Sequence, residues 1–402
     1  MGSRVFITGT GIISAIGNNV EETHAALLSK KSGIGKLENF STRHHGYLAV
    51  GEIKEQDDLL KLRLGLNVTS RYSRTALLGM IAAREAIKSA GITNIRQYRT
   101  GIVSATSVGG MAVAENHFTE YLDPDDDNEF LDYINTLDCS DSTERIADYL
   151  GITDYLTTIS TACSSSANSI MFGARLIKLG LVDRVIAGGT DSLSRFTVNG
   201  FMSLKILDEE PCKPFDANRK GLNLGEGAGY IVMESEAASR GKKIICELSG
   251  YGNVNDAYHQ TASSPEGKGA FAAMQKAFSV NGIVPDQVDY INAHGTGTEV
   301  NDLSEGLALQ KIFGTKIPSV SSTKAFTGHT LAAAGGIEAV ISILALQHNT
   351  IYPNLNFNTA MPETGIIPVQ SVITGKIINT VLSNSFGFGG NTSSLLFSRT
   401  LL

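Results

Sequence analysis

The stretch ISTACSSSANSIMFGARLIKLG, residues 159–180, contains the end of a strand, a short polar turn and a helix in immediate succession. The strand is predicted over 156–160 and the helix over 164–179. The helix shows apolar residues at intervals of three and four, namely Ala167, Ile170, Met171, Ala174 and Ile177. Many of its residues are small and permit close packing, so we expect this helix to be deeply buried.

A second stretch, VSSTKAFTGHTLAAAGGIEAVISILAL, residues 320–346, repeats this pattern. It predicts a strand over 319–322 and a helix over 330–346. The apolar positions of that helix are Ile337, Val340, Ile341, Leu344 and Ala345. The repeat indicates two related halves, residues 1–245 and 246–402. No Pro- or Ser-rich linker separates them, so we expect the halves to share one interface.

Strands and helices alternate along the rest of the chain. Strands are predicted over 5–8, 101–104, 184–187 and 288–292, and a helix over 73–90. This alternation predicts an α/β fold with a largely parallel or mixed sheet.

The segment TGTGIIS near the N-terminus is a partial dinucleotide-binding fingerprint. Gly9 and Gly11 follow a predicted strand, but Ser14 stands where a third glycine would complete the pattern. We therefore interpret the segment as a tight turn between a strand and a helix.

The composition excludes several classes of protein. The chain has 402 residues, 42% hydrophobic and 18% charged, with a formal net charge of −7. These values argue against a disordered chain and against a nucleic-acid-binding protein, which usually carries a basic surplus. No apolar run reaches the ~18 residues of a membrane span, and the start of the sequence lacks the layout of a signal peptide.

The cysteines give a weak indication of compartment. Cys139, Cys163, Cys212 and Cys246 are scattered and form no CxxC pair. This spacing predicts neither a zinc ribbon nor a disulfide framework, and it fits a reducing, cytoplasmic location.

Cys163 is a candidate nucleophile because it lies between a predicted strand and a predicted helix. A thiol at a helix N-terminus faces the positive end of the helix dipole, which lowers its pKa and favours the reactive thiolate. The alternative is that Cys163 is a small buried apolar residue, the usual role of a free cysteine.

Two histidines follow predicted strands in the second half. His294 lies in NAHGTGTEVND and His329 in SSTKAFTGH, five residues after Lys324. Ligands usually bind where strands of α/β folds end, so Cys163 and the two histidines are a candidate constellation. The chain has no HExxH pattern or closely spaced ligand pair, so we expect no metal site. A cysteine hydrolase is an alternative, although no further feature supports the base arrangement that it needs.

Two further segments are rich in glycine, one near the C-terminus and one near the end of the first half. In LSNSFGFGGNTSSLLF, residues 382–397, the glycines allow the backbone to approach a ligand, and Phe386 and Phe388 suggest a movable apolar gate. A structural hairpin is the alternative. We interpret PFDANRKGLNLGEGAGYIVME, residues 214–234, as mainly structural.

These motifs together resemble the elongating β-ketoacyl-acyl-carrier-protein synthases. The resemblance rests on TACSSS, NAHGTGT, SSTKAFTGH and SNSFGFGGN, in the order in which the family has them, and on PFDANRKGLNLGEGAG and DAYHQT. It extends from residue 4 to about residue 398. It implies a thiolase fold, with two similar halves in five layers, α-β-α-β-α. It also implies a decarboxylating Claisen condensation that needs no redox or metal cofactor.

The resemblance also implies roles for individual residues. Cys163 would hold the acyl chain as a thioester, and His294 and His329 would stabilise the enolate left when malonyl-carrier protein loses CO₂. Lys324, paired with Glu305, would fix the surroundings of His329. The remaining implied roles are the oxyanion hole, formed by the backbone N–H groups of Cys163 and Phe388, and the binding of the phosphopantetheine arm by Thr261, Thr296 and Thr298.

The implied partners are an acyl carrier protein, malonyl and acyl thioesters, and a second subunit, usually an identical one. Arg71 and Arg74 are candidates for docking the acidic carrier, with ordinary surface arginines as the alternative. Val108 lies where the family senses chain length.

Departures from the family pattern leave the substrate open. Arg219-Lys220-Gly221-Leu222 stands where the family usually has RDGF, so a specialised polyene or pigment pathway is plausible beside fatty-acid elongation. A degradative thiolase is disfavoured, because no cysteine follows Cys246. A non-catalytic chain-length subunit would lack the nucleophile. An active subunit of a heterodimer stays open.

Overall fold

The computed structural model describes residues 4–40, 42–122 and 129–400. The strands are β1 Phe6–Ser14, β2 Ile34–Lys36, β3 Ala49–Gly51, β4 Thr100–Ala105, β5 Tyr155–Ile159, β6 Arg184–Asp191, β7 Gly227–Glu234, β8 Cys246–Asn255, β9 Tyr290–Asn292, β10 Ser319–Ser321, β11 Thr350–Ile351, β12 Ile373–Thr374, β13 Thr380–Phe386 and β14 Asn391–Ser398. The helices are α1 Val20–Leu28, α2 Asp57–Leu64, α3 Arg74–Ser89, α4 Met111–Asn116, α5 Phe118–Tyr121, α6 Cys139–Leu150, α7 Ser165–Lys178, α8 Arg195–Ser203, α9 Glu236–Ser239, α10 Lys268–Ser279, α11 Glu299–Phe313, α12 Lys324–Thr327 and α13 Ala334–His348.

Two sets of five strands have the same topology. One set runs β5-β4-β6-β7-β1 and the other β10-β9-β13-β14-β8, so each follows the order third, second, fourth, fifth, first along the chain. The first three strands in each order are mutually parallel. The fourth is antiparallel to the third, and the fifth is antiparallel to the fourth. The sets join where β1 pairs with β8, at Phe6–Glu247 and Ile7–Cys246.

Helices α7 and α13 lie between the two sets of strands. Helix α7 packs on β4 and β6 and also on β14, and α13 packs on β7 and on β13. On the outer face of the first set lies α3, and on that of the second lie α10 and α11. The described residues form one central and two lateral apolar cores, and a smaller fourth cluster that contains Leu222 and Leu224. The arrangement has the five layers that the sequence analysis expects.

Most predicted elements are present with shifts of a few residues, since α3, α7 and α13 match the three predicted helices. The interpretation of TGTGIIS is wrong, because Gly9 and Gly11 lie inside β1 rather than in a turn. A Cβ at Gly9 would lie 2.2 Å from the Ala86 carbonyl oxygen, and one at Gly11 would lie 2.0 Å from that of Ala82. The glycines therefore allow α3 to pack directly against the strand.

One segment, Leu331–His348, is long and apolar enough to span a membrane. Of its residues 89% are buried, however, and it contains α13, one of the two helices between the two sets of strands. The packing of the core accounts for its apolar character, as the small residues of the sequence predict.

The loops that carry the candidate residues follow parallel strands. Cys163 comes after β5, His294 after β9, and Lys324 and His329 after β10. Phe388 lies in the turn between β13 and β14. Because the carboxyl ends of parallel strands meet at one edge of a sheet, the two halves bring these loops together over α7 and α13.

Candidate active site

Cys163 lies in a constrained turn between β5 and α7. Ala162 has a φ of 52°, an uncommon left-handed conformation for a residue other than glycine. The Ser165 hydroxyl accepts from the Thr161 N–H at 2.7 Å, and the Ser165 N–H donates to the Ala162 carbonyl at 3.1 Å. These bonds hold the turn in a conformation that places Cys163 two residues before the helix begins, and only 5% of Cys163 is exposed.

The expected low pKa of Cys163 is not found. Burial raises the pKa of the thiol to about 12, although the charge of Lys324 and the backbone N–H groups of Phe388 and Cys163 oppose this effect. Desolvation of the thiolate therefore outweighs the attraction of the helix N-terminus. The thiol is protonated at neutral pH, and the same two N–H groups lie beside its sulfur.

His294 and His329 face each other edge to face. Their ring centroids are 5.4 Å apart with an angle of 85° between the planes, and both side chains are buried. Burial and the nearby charge of Lys324 hold the pKa of each ring well below its usual value. Both rings are therefore neutral at pH 7, and each neutral ring has one N–H donor.

Lys324 selects the tautomer of His294. Its ammonium lies 3.2 Å from His294 Nδ1 and donates to the His294 carbonyl at 2.6 Å. An ammonium only donates, so Nδ1 must be the acceptor and the ring proton lies on Nε2. The structure thus gives His294 the Nε2–H donor that oxyanion stabilisation needs.

The predicted pairing of Lys324 with Glu305 is wrong. Lys324 forms a buried ion pair with Glu338, in the first half of α13. Glu305 instead accepts from the backbone N–H groups of His294 at 3.0 Å and Gly295 at 2.8 Å, and from the Asn384 amide at 3.0 Å. Glu305 therefore fixes the backbone of the His294 loop, and burial raises the pKa of both carboxyls to about 7.

Sequence reasoning missed Glu338, although a signal for it exists. Glu338 is the one charged residue in the otherwise apolar run AGGIEAVISILAL, and a carboxylate in a buried helix needs a partner. Asp191, at the end of β6, was missed too. It is fully buried and accepts from Thr106 at 2.5 Å, Ser107 at 2.6 Å and the Ala332 N–H at 2.8 Å. It joins the loop after β4 to the short helical turn just before α13.

A cavity of about 400 Å³ brings most of the predicted residues together. Those that line it are Cys163, His294, His329, Phe388, Thr261, Thr296 and Thr298. Lys324 and Glu305 do not line it. Lys324 contacts the His294 ring at Nδ1, and Glu305 accepts from the His294 backbone N–H. No cluster of three metal-ligating side chains occurs in the part of the chain that the structure describes.

Phe388, which the sequence predicts to be part of a gate, has a partner that the sequence did not reveal. The Phe388 ring stacks on Phe201 of α8, with centroids 5.8 Å apart and planes 17° apart. Phe201, Ile206 and Leu222 form an apolar side of the cavity. Val108 packs against the same apolar cluster.

The prediction that Arg74 docks a carrier is wrong. Its guanidinium forms ion pairs with Glu226 and Asp57, and only 12% of its side chain is exposed. Arg71 is exposed, and its guanidinium lies 5.5 Å from the centroid of the Tyr133 ring. Two exposed lysines, Lys205 and Lys220, line the cavity itself.

Comparisons with known proteins agree with this geometry. The family descriptions "Beta-ketoacyl synthase, N-terminal domain" and "Beta-ketoacyl synthase, C-terminal domain" match residues 2–239 and 245–358. A curated relative, 3-oxoacyl-[acyl-carrier-protein] synthase 2 of Staphylococcus aureus strain N315, is 35% identical over 408 residues, which cover 98% of each chain.

Solved structures share the whole fold. The ishigamide ketosynthase/chain length factor superposes with a TM-score of 0.92 at 29% identity and full coverage of both chains. A type II polyketide ketosynthase in complex with its acyl-carrier protein superposes with a TM-score of 0.89 at 26% identity, again with full coverage of both. The predicted thiolase fold is confirmed. The chain belongs to the β-ketoacyl synthase family, and its reaction is the condensation of an acyl thioester with a malonyl thioester with loss of CO₂.

Proposed function

We propose that Cys163 carries the acyl chain during this condensation. The support is the pair of N–H groups, from Cys163 and Phe388, that lie beside its sulfur at the inner end of the cavity. They would stabilise the oxyanion formed when the thiol attacks an acyl-carrier thioester. The sulfur–acyl bond forms at Cys163, and the proton of the thiol passes to the departing pantetheine thiol.

The two histidines act in the second half of the reaction. The malonyl thioester loses CO₂, and the N–H donors of His294 and His329 stabilise the enolate oxygen. The enolate carbon attacks the acyl group, the Cys163 thioester bond breaks, and the sulfur takes up a proton. This scheme balances with one proton consumed and requires no redox or metal cofactor.

The single observation that carries the proposal is the neutral histidine pair beside a protonated thiol in one cavity. The test is the intact mass of the purified chain after mixing with a panel of acyl-carrier proteins, with peptide mapping of the adduct. We expect a gain equal to the acyl group, on Cys163. Cys163→Ala should show no adduct, whereas Cys139→Ala, at a partly exposed thiol, should react as the wild type does. An adduct elsewhere would overturn the assignment.

His294→Ala and His329→Ala separate the two half-reactions. Both variants should keep acylation of Cys163 better than they keep decarboxylation. Cys163→Gln, which imitates the acylated state, should decarboxylate malonyl-carrier protein without condensation. Equal loss of both half-reactions in the histidine variants would contradict the roles given to them.

An acyl carrier protein delivers both substrates in this proposal. Its phosphopantetheine arm would pass Thr261, Thr296 and Thr298, whose hydroxyls line the cavity, with Thr296 and Thr298 2.9 Å apart. Lys205 and Lys220 offer positive charge at the same cavity to an acidic carrier. Reversing both charges should raise KM for the carrier and leave the rate with a free pantetheine thioester unchanged.

The proposal includes a second subunit at strand β5. This strand is the last in its half of the sheet and presents Leu156, which is 38% exposed. Leu131, Ile134 and Leu137 lie in the segment that packs on α6, the helix beside β5, and are about half exposed, at 49%, 47% and 57%. Exposed strand edges with apolar neighbours favour pairing with another chain. We favour a second copy of this chain.

A heterodimer is the alternative, because one of the similar structures pairs a ketosynthase with a chain length factor. Light scattering of the purified chain distinguishes the two: a dimer supports self-pairing, and an inactive monomer supports the heterodimer. A cytoplasmic location also belongs to the proposal, since the thiol of Cys163 must stay reduced to react.

A further inference from the structure

Asn391 joins the gating loop to the turn that carries the nucleophile. It is the first residue of β14, directly after the loop Gly387–Gly390. Three donors converge on its side-chain carbonyl oxygen: Asn168 Nδ2 at 2.8 Å, Asn253 Nδ2 at 2.6 Å, and Ser164 Oγ at 2.8 Å, whose single proton is shared with the Thr161 carbonyl, also at 2.8 Å. Ser164 and Asn168 belong to the segment that follows Cys163, and Asn253 belongs to β8, so one oxygen of β14 joins that segment to β8.

Two of the three donors lie within five residues after the nucleophile. Ser164 follows Cys163 directly, and Asn168 lies in the first turn of α7. Asn168 also donates to the Thr161 hydroxyl at 2.9 Å, on the other side of Cys163. The third donor, Asn253, lies on β8 and also donates to the Ser393 hydroxyl at 3.0 Å. Asn391 thus contacts the segment around Cys163 from both the turn and the helix.

The first residue of the gating loop is hydrogen-bonded to Asn391 as well. The Gly387 N–H donates to the backbone carbonyl of Asn391 at 2.8 Å. Gly387 lies so close to the nucleophile turn that a Cβ on it would be 3.2 Å from the Cys163 backbone nitrogen. Between these fixed points, Gly389 and Gly390 have φ values of 78° and 80°, so the loop turns through conformations that favour glycine.

We propose that Asn391 is a positioning residue for acyl transfer. Its side-chain carbonyl holds the gating loop against the nucleophile turn, so that the N–H groups of Phe388 and Cys163 converge on one oxygen. The ladder between β14 and β8 already holds the strand itself, with Asn391 opposite Asn255. The side-chain bonds of Asn391 are therefore not needed to hold the strand, and they fix the gating loop relative to the nucleophile turn. This inference rests on the proposed role of Cys163.

The test uses Asn391→Leu, which keeps the approximate volume and removes the acceptor. Thr392→Val is the matched control, because the hydroxyl of the neighbouring Thr392 donates at 3.1 Å to the Val254 carbonyl of β8 rather than to the nucleophile turn. Asn391→Asp keeps acceptor oxygens and serves as the conservative rescue. The rate of Cys163 acylation is followed by intact mass, and decarboxylation is followed separately with each change combined with Cys163→Gln.

We expect Asn391→Leu to slow acylation by about 10²-fold, the loss that a ~1 Å misplacement of reacting groups produces. Decarboxylation should stay within about twofold, because it depends on the histidine pair. Thr392→Val should leave both rates near those of the wild type, and Asn391→Asp should recover most of the lost acylation rate. Ser164→Ala, which removes one donor, should slow acylation by a smaller factor and tests the inference if Asn391→Leu does not fold.

Equal rates for Asn391→Leu and the wild type, or equal losses of acylation and decarboxylation, would overturn the inference. Failure of the wild type to become acylated at Cys163, in contrast, would overturn the proposed function. The two failures are therefore distinguishable in one set of measurements.

Discussion

The Lys324 ammonium lies 3.2 Å from His294 Nδ1 and pairs on its other side with Glu338. One buried cation thus connects the His294 ring, just after β9, to a carboxylate in α13. Since the ammonium can only donate, it keeps the His294 proton on Nε2. In the proposed reaction the lysine would therefore act through the histidine.

Replacing Lys324 should impair decarboxylation more than acylation. In Lys324→Met, either nitrogen of His294 can carry the proton, and the donor to the enolate is no longer fixed. We expect decarboxylation to fall by about 10²-fold, comparable to the loss of one oxyanion donor. Release of CO₂ from malonyl-carrier protein measures one rate and intact mass the other. An unchanged decarboxylation rate would refute the tautomer argument.

Removing the Glu338 charge should destabilise the protein more than the same change at Glu305. In Glu338→Gln the buried Lys324 loses its ion-pair partner, a change that typically costs about 3–5 kcal/mol. Glu305→Gln keeps a carbonyl that can accept from the backbone, so a smaller cost of about 1–2 kcal/mol is expected. Urea denaturation of both variants gives the comparison. A larger loss of stability in Glu305→Gln than in Glu338→Gln would indicate that Glu305 is the partner of Lys324.

Alkylation of Cys163 should rise steeply with pH. Burial raises the pKa of its thiol to about 12, so the thiolate is the minor form at neutral pH. Its fraction, and with it the rate of iodoacetamide modification, should increase about tenfold for each pH unit between 7 and 10. Peptide mapping separates Cys163 from the other thiols. A rate that levels off near pH 8 would show that the pKa is not raised.

Gly9 should tolerate no side chain. A Cβ there would lie 2.2 Å from the Ala86 carbonyl, so Gly9→Ala must push α3 away from β1. We expect a loss of stability of about 1–3 kcal/mol, as for other overpacked cores. Gly35→Ala is the control, because a Cβ at Gly35 has nothing within 4 Å. Thermal unfolding of the two variants checks this. Similar melting temperatures would mean that α3 can shift at no cost.

The sequence by itself determined the main helices and strands, and the strand ends that carry the candidate site residues. The periodicity of 164–179 and 330–346 predicted α7 and α13 within a few residues. The motifs around Cys163, His294 and His329 predicted loops that meet in one cavity. These features depend on hydrophobic spacing and turn residues within short windows, which is why a single sequence reveals them.

Only the tertiary structure decided which charges meet. Glu305 and Glu338 are both acidic residues near His294 in the fold, but only Glu338 reaches Lys324. Arg74 carries the positive charge that docking of an acidic carrier requires, yet in the folded chain it forms ion pairs with Glu226 and Asp57. The pKa of Cys163 likewise follows from burial rather than from its place before a helix. Partner choice and desolvation depend on distances between segments far apart in sequence, and those distances exist only once the two halves pack together.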